Sequence, residues 1–355
     1  MFEIKKDFVG GNISVISQTE SDVYLENELR DTTGDWFYWA FCVEGAQGKE
    51  INFHFGKHRL GYFGPAVSHD LKSWHWLDEC DGNSFKYYFG ENESRVYFAH
   101  DMLYHPERFV IFAKEKDIDI RELCKSRRGR SVPCISLGNG SESIILTSRH
   151  HACEATGSYV LEGVLSELIK SPIPDTRIFC VPFVDYDGVI DGDQGKGRAP
   201  RDHNRDYADV SVYPETAAIR EYADRYGCDF GFDFHSPWHR GGENDNIFIV
   251  RNRADMTERF DRFSELLEAE CGEDSMRYKK ENDHPAATGW NQPSANFSFT
   301  MHSRPECKLA FTLESAYFGA EENKVSAERL IALGRAFARA LKKYIRGGFY
   351  ENSSI

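Results

Sequence analysis

Two patterns of apolar and polar positions divide this chain. Up to about residue 105, apolar and aromatic residues come in short runs parted by Gly, Asn and Asp. Examples are Asp35–Val43 (DWFYWAFCV), Glu50–Phe55 (EINFHF), Phe85–Phe89 (FKYYF) and Arg95–Ala99 (RVYFA). Runs of this length, rich in aromatic and β-branched residues and without helical periodicity, predict strands of an all-β sandwich. From about residue 106 the pattern changes, and strand-like apolar runs alternate with helical ones. Strands are predicted at Ser143–Ser148, Arg177–Val184, Asp229–His235, Asn246–Val250 and Lys308–Glu314. Helices are predicted at Thr156–Lys170, Pro214–Tyr226, Asp255–Cys271 and Ser326–Ile345. The last carries Leu330, Leu333, Phe337, Leu341 and Tyr344 as one apolar stripe. Strands buried on both faces and joined through helices imply an α/β layer fold with a mixed sheet. The division expected is therefore a β-sandwich over residues 1–105 and an α/β catalytic domain over residues 106–355. In open sheets of the second kind, ligands bind beyond the carboxyl ends of the strands.

Composition narrows the function. The 355 residues, 41% hydrophobic and 28% charged, are those of an ordinary globular protein. A net charge of −14 offers no general basic face, so neither nucleic acid nor an anionic membrane is an expected partner. No stretch approaches the roughly 18 apolar residues of a membrane span. The opening MFEIKKDFVGGNISVIS lacks the apolar centre of a signal peptide. The nine cysteines are scattered without a CxxC pair, as suits reduced thiols. A cytoplasmic protein without a cysteine-only metal site is the expectation.

Candidate chemistry collects at predicted strand ends. In Thr147–Glu154 (TSRHHACE), a strand gives way to a helix, and one turn of backbone can bring His151 and Glu154 to the same ion. His235 stands at the tip of a second strand. Two histidines and a carboxylate form the ligand set of an open catalytic zinc site, in which water holds the fourth position. His150 is the rival ligand, but its spacing of four to Glu154 favours His151. Cys153, between the ligands, reads as a small buried residue. Glu314 follows the apolar run Leu309–Leu313 (LAFTL). On position alone it is equally a strand-end carboxylate in a salt bridge and a catalytic base.

Five segments together resemble the zinc carboxypeptidase family. They are the HxxE pair of His151 and Glu154, Asp187–Gly192 (DGVIDG), Asp202–Arg205 (DHNR), Asp233–His235 (DFH) and Phe311–Glu314 (FTLE). Trp36–Trp39 (WFYW) and Val96–Ala99 (VYFA) are similar to landmarks of the β-sandwich that precedes the catalytic domain in the cytosolic carboxypeptidase branch. The resemblance implies a metallocarboxypeptidase holding one zinc ion per chain and acting on the C-terminal tails of peptides or proteins. By the same resemblance, Glu314 is the general base, Asp202 orients His151, and Asn204 and Arg205 hold the substrate's terminal carboxylate, which a guanidinium pairs bidentately.

The chain departs from the family twice. The arginine that stabilises the oxyanion falls by ungapped counting near Gly195, within Gly192–Arg201 (GDQGKGRAPR). Arg198 is the expected replacement, with Lys196 or Arg201 as substitutes. The stretch Thr288–Arg304, before the catalytic glutamate, contains no tyrosine where the family often supplies one. His302 is a candidate for that role. Arg304 suggests either an acidic preference in the pocket for the last side chain or a simple surface position. The competing function is a related zinc deacylase or amidase acting on a small N-acyl amino acid, followed by a cell-wall peptide hydrolase and a non-catalytic homologue. The D-x-N-R segment and the leading β-region favour the carboxypeptidase.

Overall fold

The computed structural model describes residues 2–348. The N-terminal region contains nine short strands: β1 (Glu3–Lys5), β2 (Ser14–Gln18), β3 (Asp22–Glu26), β4 (Ala40–Glu44), β5 (Glu50–Phe55), β6 (Ala66–Ser68), β7 (His75–Trp76), β8 (Ser84–Tyr88) and β9 (Arg95–Ala99). They form a five-stranded sheet, ordered β1-β4-β9-β6-β7, and a four-stranded sheet, ordered β2-β3-β5-β8. All pairs are antiparallel except β3 with β5. Val23, Leu25, Ile51, Phe53 and Phe85 of one sheet share a buried core with Phe41, Val43, Val67, Val96 and Phe98 of the other. Each sheet is too small to bury its apolar face alone, so the pair closes on itself.

The expected strand at Asp35–Val43 begins only at Ala40. Trp36 and Phe37 lie instead in the irregular segment before it, where Trp36 meets Trp238 at a ring-centroid distance of 5.2 Å. Phe37 lies 5.0 Å from His239 and 5.3 Å from Tyr317. The aromatic richness that reads as strand propensity serves here as a joint with the rest of the chain.

Seven strands then form one mixed sheet: β10 (Arg121–Lys125), β11 (Ser131–Gly138), β12 (Glu142–Ser148), β13 (Thr176–Val181), β14 (Phe230–His235), β15 (Ile247–Val250) and β16 (Leu309–Ser315). Their order is β10-β11-β13-β12-β14-β16-β15, with the four central strands parallel. Helices α1 (Pro106–Glu115), α2 (Ala155–Lys170), α3 (Tyr186–Asp191), α4 (Pro214–Tyr226), α5 (Thr257–Glu270), α6 (Phe297–His302) and α7 (Ala327–Arg346) complete the region. Alternation along the strands separates two cores. Ile144, Leu146, Phe232 and Phe311 pack towards α2, α5 and α7, while Ile145, Phe179 and Ala310 pack with Ile219 of α4 and Met301 of α6. The predicted stripe of α7 is buried in full. Gly163 and Gly334 let α2 and α7 cross closely, since a Cβ on Gly163 would stand 2.0 Å from the Ile331 carbonyl oxygen. None of the nine cysteines is paired, and among the described residues no helix is long and apolar enough to cross a membrane.

From β12 the chain steps to β13 on one side and later to β14 on the other. Strand order therefore reverses beside β12, the place at which such sheets take ligands outside the carboxyl ends of their strands. The candidate functional residues gather there.

Candidate active site

His151 lies in the turn after β12, and Glu154 is the residue before the first turn of α2. His235 ends β14 and pairs in register with Glu314 of β16. Paired residues on neighbouring strands share a face, so imidazole and carboxylate project together. Glu154, His235 and Glu314 are buried.

The two histidines are held alike. Nδ1 of His151 lies 2.7 Å from Glu154 Oε1, and its Nε2 lies 3.2 Å from Asp202 Oδ1. Nδ1 of His235 lies 2.7 Å from Glu154 Oε2, and its Nε2 lies 2.5 Å from Asp233 Oδ2. The contact to Glu154 Oε2 is not aligned as a hydrogen bond, and this buried oxygen has no hydrogen-bond partner. Ligand atoms of His151, Glu154 and His235 fall within 4.8 Å of one another. Two ring nitrogens and a carboxylate converging on one point, each imidazole backed by a carboxylate at its other nitrogen, fit a divalent cation of the zinc type. Burial would lower the His151 pKa, but Glu154 and Asp202 outweigh it and raise it. Burial likewise opposes ionisation of Asp202, yet His151 holds its pKa below the usual carboxylate range.

His150, Asp233 and His235 form a second cluster of suitable residue types. His150, however, has both nitrogens engaged, Nδ1 with Asp233 Oδ1 at 2.9 Å and Nε2 with the Tyr207 hydroxyl at 2.7 Å. It buttresses Asp233 and is turned away from Glu154. Asp233 also accepts a 2.8 Å hydrogen bond from Thr147 Oγ1, so one buried carboxylate ties β12 to the ring of His235.

Glu314 Oε2 is buried without a hydrogen-bond partner. Burial raises its pKa to about 7, against the opposing pull of His235. A carboxylate that ionises near neutrality beside a candidate metal set is chemically suited to accept a proton.

The loop after α3 turns out differently from expectation. Arg198 does not enter the cleft. Its Nη2 lies 2.7 Å from Asp193, 2.9 Å from Asp185 and 3.7 Å from Asp31, so its charge is absorbed by three carboxylates. Arg201 bonds Asp206 Oδ1 at 2.9 Å. The loop's charge at the site is Lys196, whose Nζ lies 2.5 Å from Glu154 Oε1 and donates to the carbonyls of Ser236 and Pro237. Glycines flank it, with φ of +78° at Gly195 and +58° at Gly197. A Cβ on Gly195 would stand 2.1 Å from the Ala152 nitrogen, so only glycine lets the loop reach the turn that carries His151.

The N-terminal region fixes this loop. Asp31 accepts from the Gln194 and Gly195 amides at 3.0 and 2.8 Å. Arg30 Nε bonds Asp193 at 2.8 Å, and Gln194 Oε1 accepts from the Tyr38 amide at 2.9 Å. The ring of Trp36 lies 5.7 Å from Lys196 Nζ.

Asn204 and Arg205 line the cleft with His151, His235, Glu314 and Trp290. Asn204 Oδ1 accepts from the Phe297 amide at 3.1 Å, and its Nδ2 lies 3.3 Å from His235 Nε2. Arg205 is exposed, and its Nη1 bonds the Asn204 carbonyl at 2.7 Å. Among the described residues no carboxylate forms an ion pair with it, unlike Arg198 and Arg201. Among the described residues no tyrosine lines the cleft. His302 is buried on Asn252, outside the cleft lining, and Arg304 pairs with Asp224 at 2.5 Å.

Sequence reasoning missed Asp233 and Asp31. Asp233 was readable, since a residue two before His235 on a strand shares its face. Asp31 left no local signal.

The fold and cleft together define a class, the metallo-carboxypeptidase fold, and the resemblance in the motifs is borne out at that level. A metallo-carboxypeptidase from Burkholderia cenocepacia superposes with a TM-score of 0.81 at 19% identity, over 98% of this chain and 99% of that one. A metallo-carboxypeptidase from Pseudomonas aeruginosa, solved in complex with (2-guanidinoethylmercapto)succinic acid, superposes with a TM-score of 0.80 at 21% identity, over 97% and 99%. In sequence, an uncharacterized protein of Zymomonas mobilis is 27% identical over 256 residues, 66% of this chain and 67% of that protein. Cytosolic carboxypeptidase 2 of Xenopus tropicalis is 27% identical over 210 residues, which is 51% of this chain and only 22% of the longer relative. No protein-family model matches the chain.

Proposed function

We propose that the chain is a zinc-dependent carboxypeptidase that removes C-terminal residues from peptides or protein tails. The observation that carries this reading is an unpaired guanidinium, Arg205, in the same small cleft as a two-histidine, one-carboxylate set and a buried glutamate. His151, Glu154 and His235 would hold one zinc ion. Bound there, zinc lowers the pKa of water to about 7 and polarises a carbonyl.

The chain's own groups supply the rest. Glu314 takes the proton of the attacking water and returns it to the leaving amine. Lys196 provides the positive charge beside the developing oxyanion. Arg205 receives the substrate's terminal carboxylate in a fork of two N–H donors, with Asn204 steadied beside it by the Phe297 amide. Asp202 and Asp233 keep the Nε2 side of each histidine engaged, so Nδ1 faces the metal position. Nine unpaired thiols and the absence of a membrane-spanning helix among the described residues support a cytoplasmic setting.

Peptides that differ only in a free or amidated C-terminus test the reading. The zinc-loaded protein should remove the last residue of the free form, and Arg205→Ala should reduce that activity about 100-fold, the scale of a lost charge-assisted hydrogen-bond pair. Equal cleavage of the amidated peptide, or faster hydrolysis of simple N-acyl amino acids, would overturn it.

A further inference from the structure

If Arg205 holds the terminal carboxylate and the scissile carbonyl sits between Glu314 and the histidines, the last residue's Cα lies between these groups. Its side chain must then enter the wall they enclose. That wall comes from four places. Thr312 stands two residues before Glu314 on β16, hence on the same face. Val250 is its cross-strand partner on β15. Ser298 comes from α6, and Asn291 from the preceding loop. All four are buried. Outside the lining, Asn252 donates to the Ala310 carbonyl at 3.0 Å and meets His302 Nδ1 at 2.5 Å.

The polar atoms here fall into two groups. Asn291 Nδ2 is committed to the carbonyls of Arg251 and Pro285, and Ser298 Oγ bonds Asn296 Oδ1. The Thr312 hydroxyl and Asn291 Oδ1 have no hydrogen-bond partner among the described residues, and both side chains line the cleft. A hydroxyl that both donates and accepts, in the same lining as a carbonyl oxygen that only accepts, matches a ligand carrying its own donor. Among the described residues, Arg205 is the one Lys or Arg and Glu314 the one carboxylate lining this cleft, while Lys196 is committed to Glu154 outside the lining. An acidic side chain would therefore face Asn291 Oδ1 with no countercharge, and a basic one would be desolvated unpaired. The whole cleft, catalytic side chains included, has a volume of about 80 Å³, small beside the several hundred Å³ of pockets that take ring-bearing ligands.

We propose that this pocket selects a C-terminal residue with a short, uncharged, hydrogen-bonding side chain: serine, threonine, asparagine or glutamine. The inference rests on the carboxypeptidase reading above. It sets this chain apart from an enzyme for acidic tails, the preference that Arg304 would have suggested had it reached the cleft.

The test is a set of peptides identical but for the last residue, incubated with the zinc-loaded enzyme and quantified by mass spectrometry. Peptides ending in Ser, Thr, Asn or Gln should show kcat/KM at least about 10-fold above those ending in Glu, Lys, Phe or Leu. A higher value for any charged or aromatic ending overturns the pocket assignment while leaving the carboxypeptidase intact. No cleavage of any peptide overturns both. Thr312→Val, which keeps shape and loses the hydroxyl, supplies the second readout. It should shift the Asn-to-Leu preference ratio towards Leu about 10-fold, and an unchanged ratio in folded, zinc-loaded variant overturns the role of Thr312.

Discussion

The cleft has two halves of different construction. His151, Glu154, His235 and Glu314 stand at the carboxyl ends of β12, β14 and β16 or one turn beyond, held by ladder hydrogen bonds and a sheet buried on both faces. Lys196, Asn204 and Arg205 stand on an irregular segment whose shape depends on partners far off in sequence. Asp31 grips Gln194 and Gly195 across more than 160 residues. In the proposed function the strand-borne half serves the metal and the proton, and the loop-borne half serves the substrate's charges; the loop itself is held against the N-terminal region. That region, in this reading, is part of the site's scaffold.

If the comparison holds, damage to the two halves should separate in kind. Glu314→Gln should have the largest effect, a fall in kcat of about 1,000-fold or more with zinc retained on dialysis. His235→Ala should match that loss but release the metal, so metal analysis beside kinetics distinguishes the two roles. Lys196→Met comes next, with kcat down about 100-fold, KM little changed and zinc still bound, as expected of a charge felt mainly in the transition state. A rise in KM alone would move Lys196 from the oxyanion to ground-state binding. Asp31→Asn should lower kcat about 10-fold with full zinc occupancy, because it loosens Lys196 from a distance. Loss of zinc in that variant would erase the distinction between the halves. Arg198→Gln should affect turnover least, within about 2-fold per folded molecule. It leaves Asp31, Asp185 and Asp193 facing one another, so denaturant melts should show a loss of about 3 kcal/mol.

The same division explains what could be read from the sequence. His235 and Glu314 each close a short apolar run, which marks a strand and its end, and His151 and Glu154 stand three apart where a strand gives way to a helix. The helices were equally legible where one face is apolar, as in α7. The loop was not. Lys196 and Arg198 are both basic and two residues apart, and nothing local says which turns inward. The choice is made by the positive φ of Gly195 and Gly197, which turn Lys196 towards Glu154, and by Asp185 and Asp193, which capture Arg198. Trp36 and Phe37 misled for a related reason. Their aromatic character fits a strand, but the tertiary surface that buries them lies on Trp238, His239 and Tyr317.

That aromatic joint has a spectroscopic consequence. Trp36 from the N-terminal region rests 5.2 Å from Trp238 of the sheet region, and its ring lies 5.7 Å from the ammonium of Lys196. An indole packed against a second indole and a cation has an emission sensitive to both. Among the chain's six tryptophans its share of the emission, taken as the difference from Trp36→Phe, is a label-free gauge of whether the two regions are docked and the loop seated.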